Sequence, residues 1–560
     1  MYQIIKTPTV AKKYSVYQSR ILIFMKNLSE NSEKVAVHFD PALALPTLFE
    51  TFRLEQADKI ALIEGTQSRT WGESIGRIYR MANGLIALGI EPGDHVAMLS
   101  PNSMDYSEMF AATLLAGACA VPMQGMITDH SLNLMLRDCK AKALIVASDM
   151  EPMAQYFLRD PAQIVPGGLM GFNFSNNQFS GLEQWLLDQS DAAPNVQISG
   201  DDAFNIIYSS GTTGIPKGII HSHRTRQALA KGLMSIGITS DAVTLVATPL
   251  YSNTTITTWW PTLCAGGTLV IMPKFDAEGA LQLIQDHQVS HVMLVPVQYD
   301  RIMRLKNFAN YDCSSLQLKF STSAPLRSAL KADIIDNFAG ELVEFYGLTE
   351  GGVGTLFVGS IAKDQKKLGS VGPALPGSIL KIIDEQGNEL AEGQTGEIVG
   401  RSGNMSDGYH NREAASNEMH WYDSEGLLYY KSGDVGHLDA DGWLFLSDRR
   451  KDMIISGGFN VYATDLELVL LEHPDIHEAA VVAIPSQEWG ETPLAIVVRE
   501  PAASSDSKTL RAWANNKLGK AQRISQLVFI EELPKSSIGK VLKRELRHTY
   551  AGLADQQSES

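Results

Sequence analysis

The chain has 560 residues, 44% of them hydrophobic and 20% charged, with a formal net charge of -16 at pH 7. That length exceeds one ordinary core and implies at least two domains. So acidic a chain argues against nucleic acid or an anionic membrane as partner, because both require dense positive patches. A small molecule is the favoured ligand, and no stretch approaches the roughly 18 apolar residues of a membrane span.

The first 26 residues carry Lys6, Lys12, Lys13, Arg20 and Lys26 without one acid, and Ile21 to Met25 form an apolar run. This resembles part of a targeting peptide, but the run is short and no small-residue cleavage site comes after it. The expectation is a poorly ordered extension over residues 1–40, with Met25 as an alternative start.

From residue 46 to 290, strand-like runs such as His95–Leu99, Ala143–Val146 and Thr268–Met272 alternate with helical patterns such as Tyr106–Ala118. This alternation predicts an α/β fold of parallel sheets covered by helices. Cys119, Cys139, Cys264 and Cys313 lie far apart, with neither a CxxC pair nor zinc-ligand spacing. They read as reduced, buried thiols of a cytoplasmic protein.

Within this region Ala203–Tyr208 has the apolar, β-branched and aromatic character of a buried strand, and it runs into YSSGTTGIPKG at 208–218. Glycines at 211, 214 and 218 let the backbone approach a ligand, and hydroxyls and N–H groups of Ser209, Ser210, Thr212 and Thr213 can donate to anionic oxygens. Lys217 adds a compact cation, so the loop suits a polyphosphate. A flexible linker is the plainer reading, but a linker would not normally sit between Ile206-Ile207 and Ile219-Ile220. The spacing also fails the P-loop pattern, because Pro216 and Gly218 stand where glycine and a hydroxyl belong. His221 and His223 put two imidazoles on one side of a strand, too few for a metal site and better read as structural.

Between residues 375 and 447 short strands joined by turns, with Asp441-Gly442 marking a hairpin, predict an antiparallel subdomain. Beyond Asp448 a smaller α+β unit begins. Thr464-Asp-Leu-Glu467 has capping-box spacing and opens a helix with Leu466, Val469 and Leu470 inward; strands at Ala479–Ile484 and Leu494–Val498 and a helix around Leu510–Leu518 come next. The expected domains are a large one over 41–450 and a small one over 451–548, with a tail over 549–560.

Five stretches, YSSGTTGIPKG (208–218), YGLTE (346–350), YKSGD (430–434), DRRKDMIISGGFN (448–460) and PKSSIGKVLKRELR (534–547), occur in the order and at roughly the intervals of one family. Over residues 46–548 the chain resembles the adenylate-forming superfamily of acyl-CoA synthetases, luciferases and peptide-synthetase adenylation domains. The resemblance implies a large α/β domain with an antiparallel subdomain and a small mobile C-terminal domain. It further implies activation of a carboxylic acid by ATP, with Mg²⁺, to acyl-AMP and pyrophosphate, then transfer to coenzyme A.

Residue by residue, the resemblance assigns the phosphates to Ser209, Ser210, Gly211, Thr212, Thr213, Gly214, Lys217 and Thr349, and Mg²⁺ to Glu350. Ser323, Ala324, Tyr346 and Gly347 belong with them to the nucleotide site, Tyr346 stacking on adenine. Asp434 takes the ribose hydroxyls with Arg449 beside it. Lys540 is the mobile cation that neutralises the transition state as carboxylate meets α-phosphate. Lys451 is the hinge, and Gly457 and Gly458 leave a channel for the pantetheine arm. Tyr251, Asn253, Thr254, Trp259 and Gly351 line the acyl pocket.

Two departures from the family pattern fall at that pocket. Ser252 and Asn253 stand where a histidine or second aromatic is common, and Thr322-Ser323 replaces a glycine pair ahead of Ala324-Pro325-Leu326. Ser252 to Thr258 contains no acid, so an amino-acid substrate, whose ammonium group needs one, is disfavoured. Nor is a carrier domain expected beyond 548. Trp259 and Trp260 are either core or a floor that shortens the tunnel for a medium-chain or aryl acid. Transfer to a carrier protein and a luciferase-like reaction are the rival enzymes. A non-catalytic nucleotide-binding paralogue predicts loss of Lys540, Glu350 or Asp434, and all three are present.

Overall fold

The structure, a computed structural model, describes residues 45–125, 128–161, 163–209, 216–449, 452–456, 459–486, 489–519, 522–536, 539–551 and 553. The chain forms two compact units, one of residues up to 379 with 401–430, the other of 380–400 and 431 onward.

In the first unit, short runs of Val, Ile, Leu, Met and Ala such as His95–Leu99, Ala143–Val146 and Thr268–Ile271 are buried almost end to end. Strands apolar on both faces belong inside parallel sheets, and two such sheets form. One has the strand order Ser180–Gly181, Leu169–Gly171, Ala143–Val146, His95–Leu99, Cys119–Pro122, Ala203–Ser209, Lys217–Ser222. The other runs Gly354–Val358, Glu341–Gly347, Leu318–Ser321, His291–Leu294, Val243–Val246, Thr268–Ile271, Ile60–Glu64, Gln67–Thr70. The alternation with helices holds, and parallel pairing continues past residue 290 through Leu318–Ser321 and Glu341–Gly347.

Helix Trp71–Ala87 starts on a Thr70–Glu73 capping box, and Met104–Leu115 is buried on nearly every side. The largest core cluster gathers Trp71, Tyr79, Phe110, Trp259 and Trp260. All four cysteines are free and buried, and burial pushes each thiol's pKa up, that of Cys313 to about 11. Thiols so held are unreactive.

Antiparallel strands close off edges of these sheets, Gln67–Thr70 beside Ile60–Glu64 at one of them. Lys217–Ser222 folds back on Ala203–Ser209, and Gly354–Val358 folds back on Glu341–Gly347, each at a sheet edge. The reversal of direction therefore happens at the carboxyl end of a parallel-sheet strand, where open α/β sheets bind ligands.

The second unit holds the expected antiparallel strands, Ile379–Ile383, Gly396–Arg401 and Leu444–Arg449, with Leu428–Leu438 entering it from residue 431. The hairpin at Asp441-Gly442 is present, closed by the Gly442 N–H on Asp439 O at 2.9 Å. Further on, Gly490–Arg499 pairs with Ile454–Ser456, Ile476–Ser486 and Gln526–Phe529. Alternation along Ile476–Ser486 sends Ala479 and Val481 to one core and Ala480, Val482 and Ile484 to another, as a strand period of two requires.

The capping-box expectation at Thr464 fails. The helix runs Ala463–Leu471 with Tyr462 as its cap residue, and the Glu467 carboxylate instead accepts from the Val481 N–H at 2.7 Å and pairs with Lys543. Tertiary partners displaced the local cap. Among the described residues no helix is long and apolar enough to cross a membrane.

Candidate active site

Ser209 ends its strand directly opposite Lys217, so the chain leaves and re-enters one hairpin around the polar loop. Ser210, Gly211, Thr212, Thr213 and Gly214 lie outside the described residues. A third backbone run, 407–410, adds to Lys217–Ser222: the Ile220 N–H meets Gly408 O at 3.0 Å and the His410 N–H meets Gly218 O at 2.7 Å. This addition brings in Tyr409. Its ring lies 4.9 Å from the Lys217 Nζ, and its hydroxyl donates to Glu350 Oε1 at 2.7 Å. Burial and the Glu350 carboxylate both raise the Tyr409 pKa, so the phenol stays a neutral donor.

Thr349 and Glu350 sit in the turn that joins Glu341–Gly347 to Gly354–Val358, beyond Tyr346 and Gly347 at the strand end. Gly351 comes next with φ +75°, and a Cβ there would come within 1.8 Å of the Asn404 carbonyl oxygen. The Ser406 N–H holds Glu350 O at 2.8 Å. From behind, His221 Nε2 donates to Thr349 O at 2.7 Å; a carbonyl only accepts, so Nε2 carries the proton. Burial, then the nearby Arg226 cation, hold the His221 pKa well below its usual value.

Gly351→Ala should therefore destabilise the protein by about 2–4 kcal/mol, because left-handed strain and backbone overlap add at one residue. Calorimetric unfolding checks this; an unchanged midpoint would show that the turn relaxes freely.

His223 corrects the expectation of two imidazoles on a strand. It is the first residue of helix His223–Met234, buried and packed edge-on against Phe204 at 5.1 Å. Among the described residues no group of three or more His, Cys, Asp or Glu could hold a metal.

The loop after Leu318–Ser321 carries Thr322, Ser323 and Ala324. Ser323 has φ +80°, a conformation that favours glycine, and its hydroxyl bonds to Thr254 Oγ1. A serine at this backbone position is strained, and the hydrogen bond offsets part of that cost. Beneath the loop a buried ion pair, Lys331 Nζ to Glu344 at 2.6 Å, accompanies a hydrogen bond from the Leu326 N–H to the same carboxylate.

Val243–Val246 leads into Thr248-Pro249-Leu250-Tyr251. Buried Asn102 clamps that turn, donating to Thr248 O at 2.9 Å and accepting from the Leu250 N–H at 2.7 Å. Ser252 then caps helix Asn253–Cys264, which opens with Asn253 and Thr254. Trp259 is 1% exposed, with its indole N–H on Ser107 Oγ at 2.8 Å and Phe110 packed against it. Both Trp259 and Trp260 belong to the hydrophobic core.

In the second unit Asp434 is 7% exposed, and strand register sets it opposite Arg449. Its N–H is held by Ser432 Oγ at 3.0 Å, and the pairing shifts by a bulge just after it. Lys540 comes after a tight turn: the Gly539 N–H meets Ser536 O at 2.8 Å, Gly539 has φ +74°, and the Ser536 N–H meets Lys540 O at 2.8 Å. The neighbouring cations are structural, Lys535 pairing with Glu478, Lys543 with Glu467 and Arg547 with Asp452. Lys451, Gly457 and Gly458 lie outside the described residues, as does the Arg449 side chain.

Sequence reasoning missed Tyr409, Asn205 and Arg226. Asn205, fully buried in an otherwise apolar strand, accepts from Arg226 Nε at 2.9 Å, and Arg226 Nη1 donates to Asn253 Oδ1 at 2.9 Å. The polar interruption of Ala203–Tyr208 was the available signal. For Tyr409 the only hint is the glycine turn before it, because its place depends on pairing with a strand about 190 residues away.

Residues 49–410 match the model of the AMP-binding enzyme family, and residues 465–540 match the AMP-binding enzyme C-terminal domain. A long-chain-fatty-acid–CoA ligase of Mycobacterium tuberculosis is 31% identical over 477 residues, 84% of this chain and 91% of that one. A feruloyl-CoA synthase of an Amycolatopsis species is 31% identical over 493 residues, 88% of this chain and 96% of that one. Among solved structures, ATP-bound MatB from Rhodopseudomonas palustris matches with a TM-score of 0.80 at 28% identity, covering 90% of this chain and 99% of that one. The chain belongs to the AMP-binding enzyme family, in its acyl-CoA synthetase branch.

Proposed function

We propose that the chain is an acid–thiol ligase: it condenses a carboxylic acid with ATP to acyl-AMP and pyrophosphate, then transfers the acyl group to coenzyme A. The observation that carries this reading is the linked set Lys217, Tyr409 and Glu350 at the ends of parallel-sheet strands, beside the Ser209 loop. It offers a cation and a carboxylate joined through one tyrosine, the cation over its ring and the carboxylate at its hydroxyl, which suits a metal-bound polyphosphate.

Glu350 fits Mg²⁺. One oxygen takes a neutral hydroxyl, and among the described residues no cation pairs with the carboxylate. Glu350 would hold the ion together with phosphate oxygens and water, and a bound ion would neutralise phosphate charge. The protein's own groups do the rest. Lys217, Ser209 and Thr349 bind phosphate, Tyr346 carries the adenine, and Asp434 with Arg449 takes the ribose. Lys540 neutralises charge as the acid's carboxylate approaches the α-phosphate. Tyr251, Asn253, Thr254 and Gly351 face the acyl part. Lys451 acts as the hinge, and Gly457 and Gly458 pass the pantetheine arm.

Tyr409→Phe tests the linkage within the set. Loss of one hydrogen bond to a charged group should lower the rate of acyl-AMP formation about tenfold. An unchanged rate would remove Tyr409 from the site. The reading as a whole is tested by pyrophosphate release over a panel of carboxylic acids with ATP and Mg²⁺. Release that depends on one class of acid is the result expected, and no release with any acid would contradict it.

A further inference from the structure

Arg226 is 3% exposed and has no carboxylate partner among the described residues. Its Nε and Nη1 are held by the amide oxygens of Asn205 and Asn253, and its Nη2 has no partner among the described residues. Beside it Asn205 Nδ2 is a second buried donor unpartnered there, and strand register places Asn205 opposite His221, whose unpartnered Nδ1 is the acceptor nitrogen of a neutral ring. Burial lowers the Arg226 pKa to about 9, with no acid to offset it. A guanidinium taken out of water and met only by neutral amides is electrostatically incomplete, and an anion completes it.

Asn253 is the exit from this cluster. Its Oδ1 is occupied by Arg226, which turns its Nδ2 the other way, and that nitrogen has no partner among the described residues. Of the hydroxyls beside it, Thr255 and Thr257 donate to Pro249 O and Thr254 O, Thr254 shares one hydrogen bond with Ser323, and Ser252 Oγ accepts from the Thr254 N–H. Asn253 is thus the amide donor that this helix turn offers, and the one coupled to Arg226. It is polarised by a buried cation and sits in the first turn of a twelve-residue helix, whose N-terminus adds partial positive charge.

We propose that Arg226, acting through Asn253 as a positioning residue, selects a carboxylic acid that carries a second carboxylate at the far end of its acyl part. The proposal rests on the ligase reading, in which Asn253 faces the acyl group. A hydrocarbon end would leave the amide and the cation behind it uncompensated. A carboxylate accepts the amide hydrogen and lies in the field of the guanidinium. The reaction itself is unaltered: one carboxylate attacks the α-phosphorus, pyrophosphate leaves with the bonding pair, and the second carboxylate stays ionised.

The test compares linear dicarboxylic acids from malonate to sebacate with monocarboxylic acids of equal carbon count, by pyrophosphate release with ATP, Mg²⁺ and CoA. At least one diacid should exceed its matched monoacid tenfold or more in kcat/KM. Arg226→Met should lower that ratio by about 10- to 100-fold, chiefly through the diacid KM, and Arg226→Lys should recover part of it. In case Arg226→Met does not fold, thermal melting of the wild-type protein with ATP provides a second readout, in which the preferred diacid should stabilise and its monoacid partner should not. Monoacids activated as well as every diacid would overturn the proposal and leave the ligase reading standing. A diacid preference untouched in a folded Arg226→Met would overturn the role of Arg226. No release with any acid would defeat the ligase reading, and this proposal with it.

Discussion

Lys540→Ala is expected to slow acyl-AMP formation by on the order of 10²–10³-fold, the usual loss when one preorganised transition-state charge is removed. Thioester formation from supplied acyl-AMP should be far less affected. The reason is chemical: the first step drives a carboxylate against an already anionic α-phosphate, whereas the second attacks a mixed anhydride whose leaving group is AMP. Only the first step needs an extra cation to bring two anions together. Lys535, Lys543 and Arg547 cannot readily substitute, because they are paired with Glu478, Glu467 and Asp452. Single-turnover assays of the two steps decide the matter. Equal damage to both would make Lys540 structural.

Asp434→Ala should weaken ATP binding through the ribose. Each hydrogen bond from a hydroxyl to the carboxylate contributes on the order of 1.5–3 kcal/mol, so the loss should reach at least tenfold in Kd and more if both bonds form. The position suits the role, being 7% exposed, with its N–H held by Ser432 and its strand offset by a bulge just beyond. Bulges re-aim a side chain next to a binding site. Titration calorimetry with ATP measures the effect, and wild-type affinity in the variant would place the ribose elsewhere.

The parallel strands were legible where each is a short, mostly apolar run, because a buried sheet leaves little room for any other pattern. His95–Leu99 and Ala143–Val146 appear at the bounds that pattern predicts. Local rules were weaker wherever a distant partner competed. Glu467 has the spacing of a capping residue, yet the Val481 N–H and Lys543 take its carboxylate. His223 looks like a strand residue by alternation, but the strand ends at Ser222 and the helix starts there.

The candidate site divides in the same way. Lys217, Glu350, Asp434 and Lys540 stand in contiguous motifs, whose meaning comes from order and residue type along the chain. Tyr409 and the pair Arg226 and Asn253 have no such motif. They meet their partners only through pairing of 407–410 with Lys217–Ser222 and through packing of the helices His223–Met234 and Asn253–Cys264. Contacts of this kind depend on the tertiary fold and leave at most a polar residue in an apolar run as their trace.

The central claim, that one chain first makes an acyl adenylate and then hands it to coenzyme A, is tested most directly in a single turnover. Enzyme in excess is mixed with α-³²P-labelled ATP, Mg²⁺ and an activated acid, and CoA is added after the adenylate has accumulated. Labelled acyl-AMP should appear in step with pyrophosphate and then disappear on CoA addition, with equal yields of AMP and acyl-CoA. Adenylate that persists in the presence of CoA would contradict the claim.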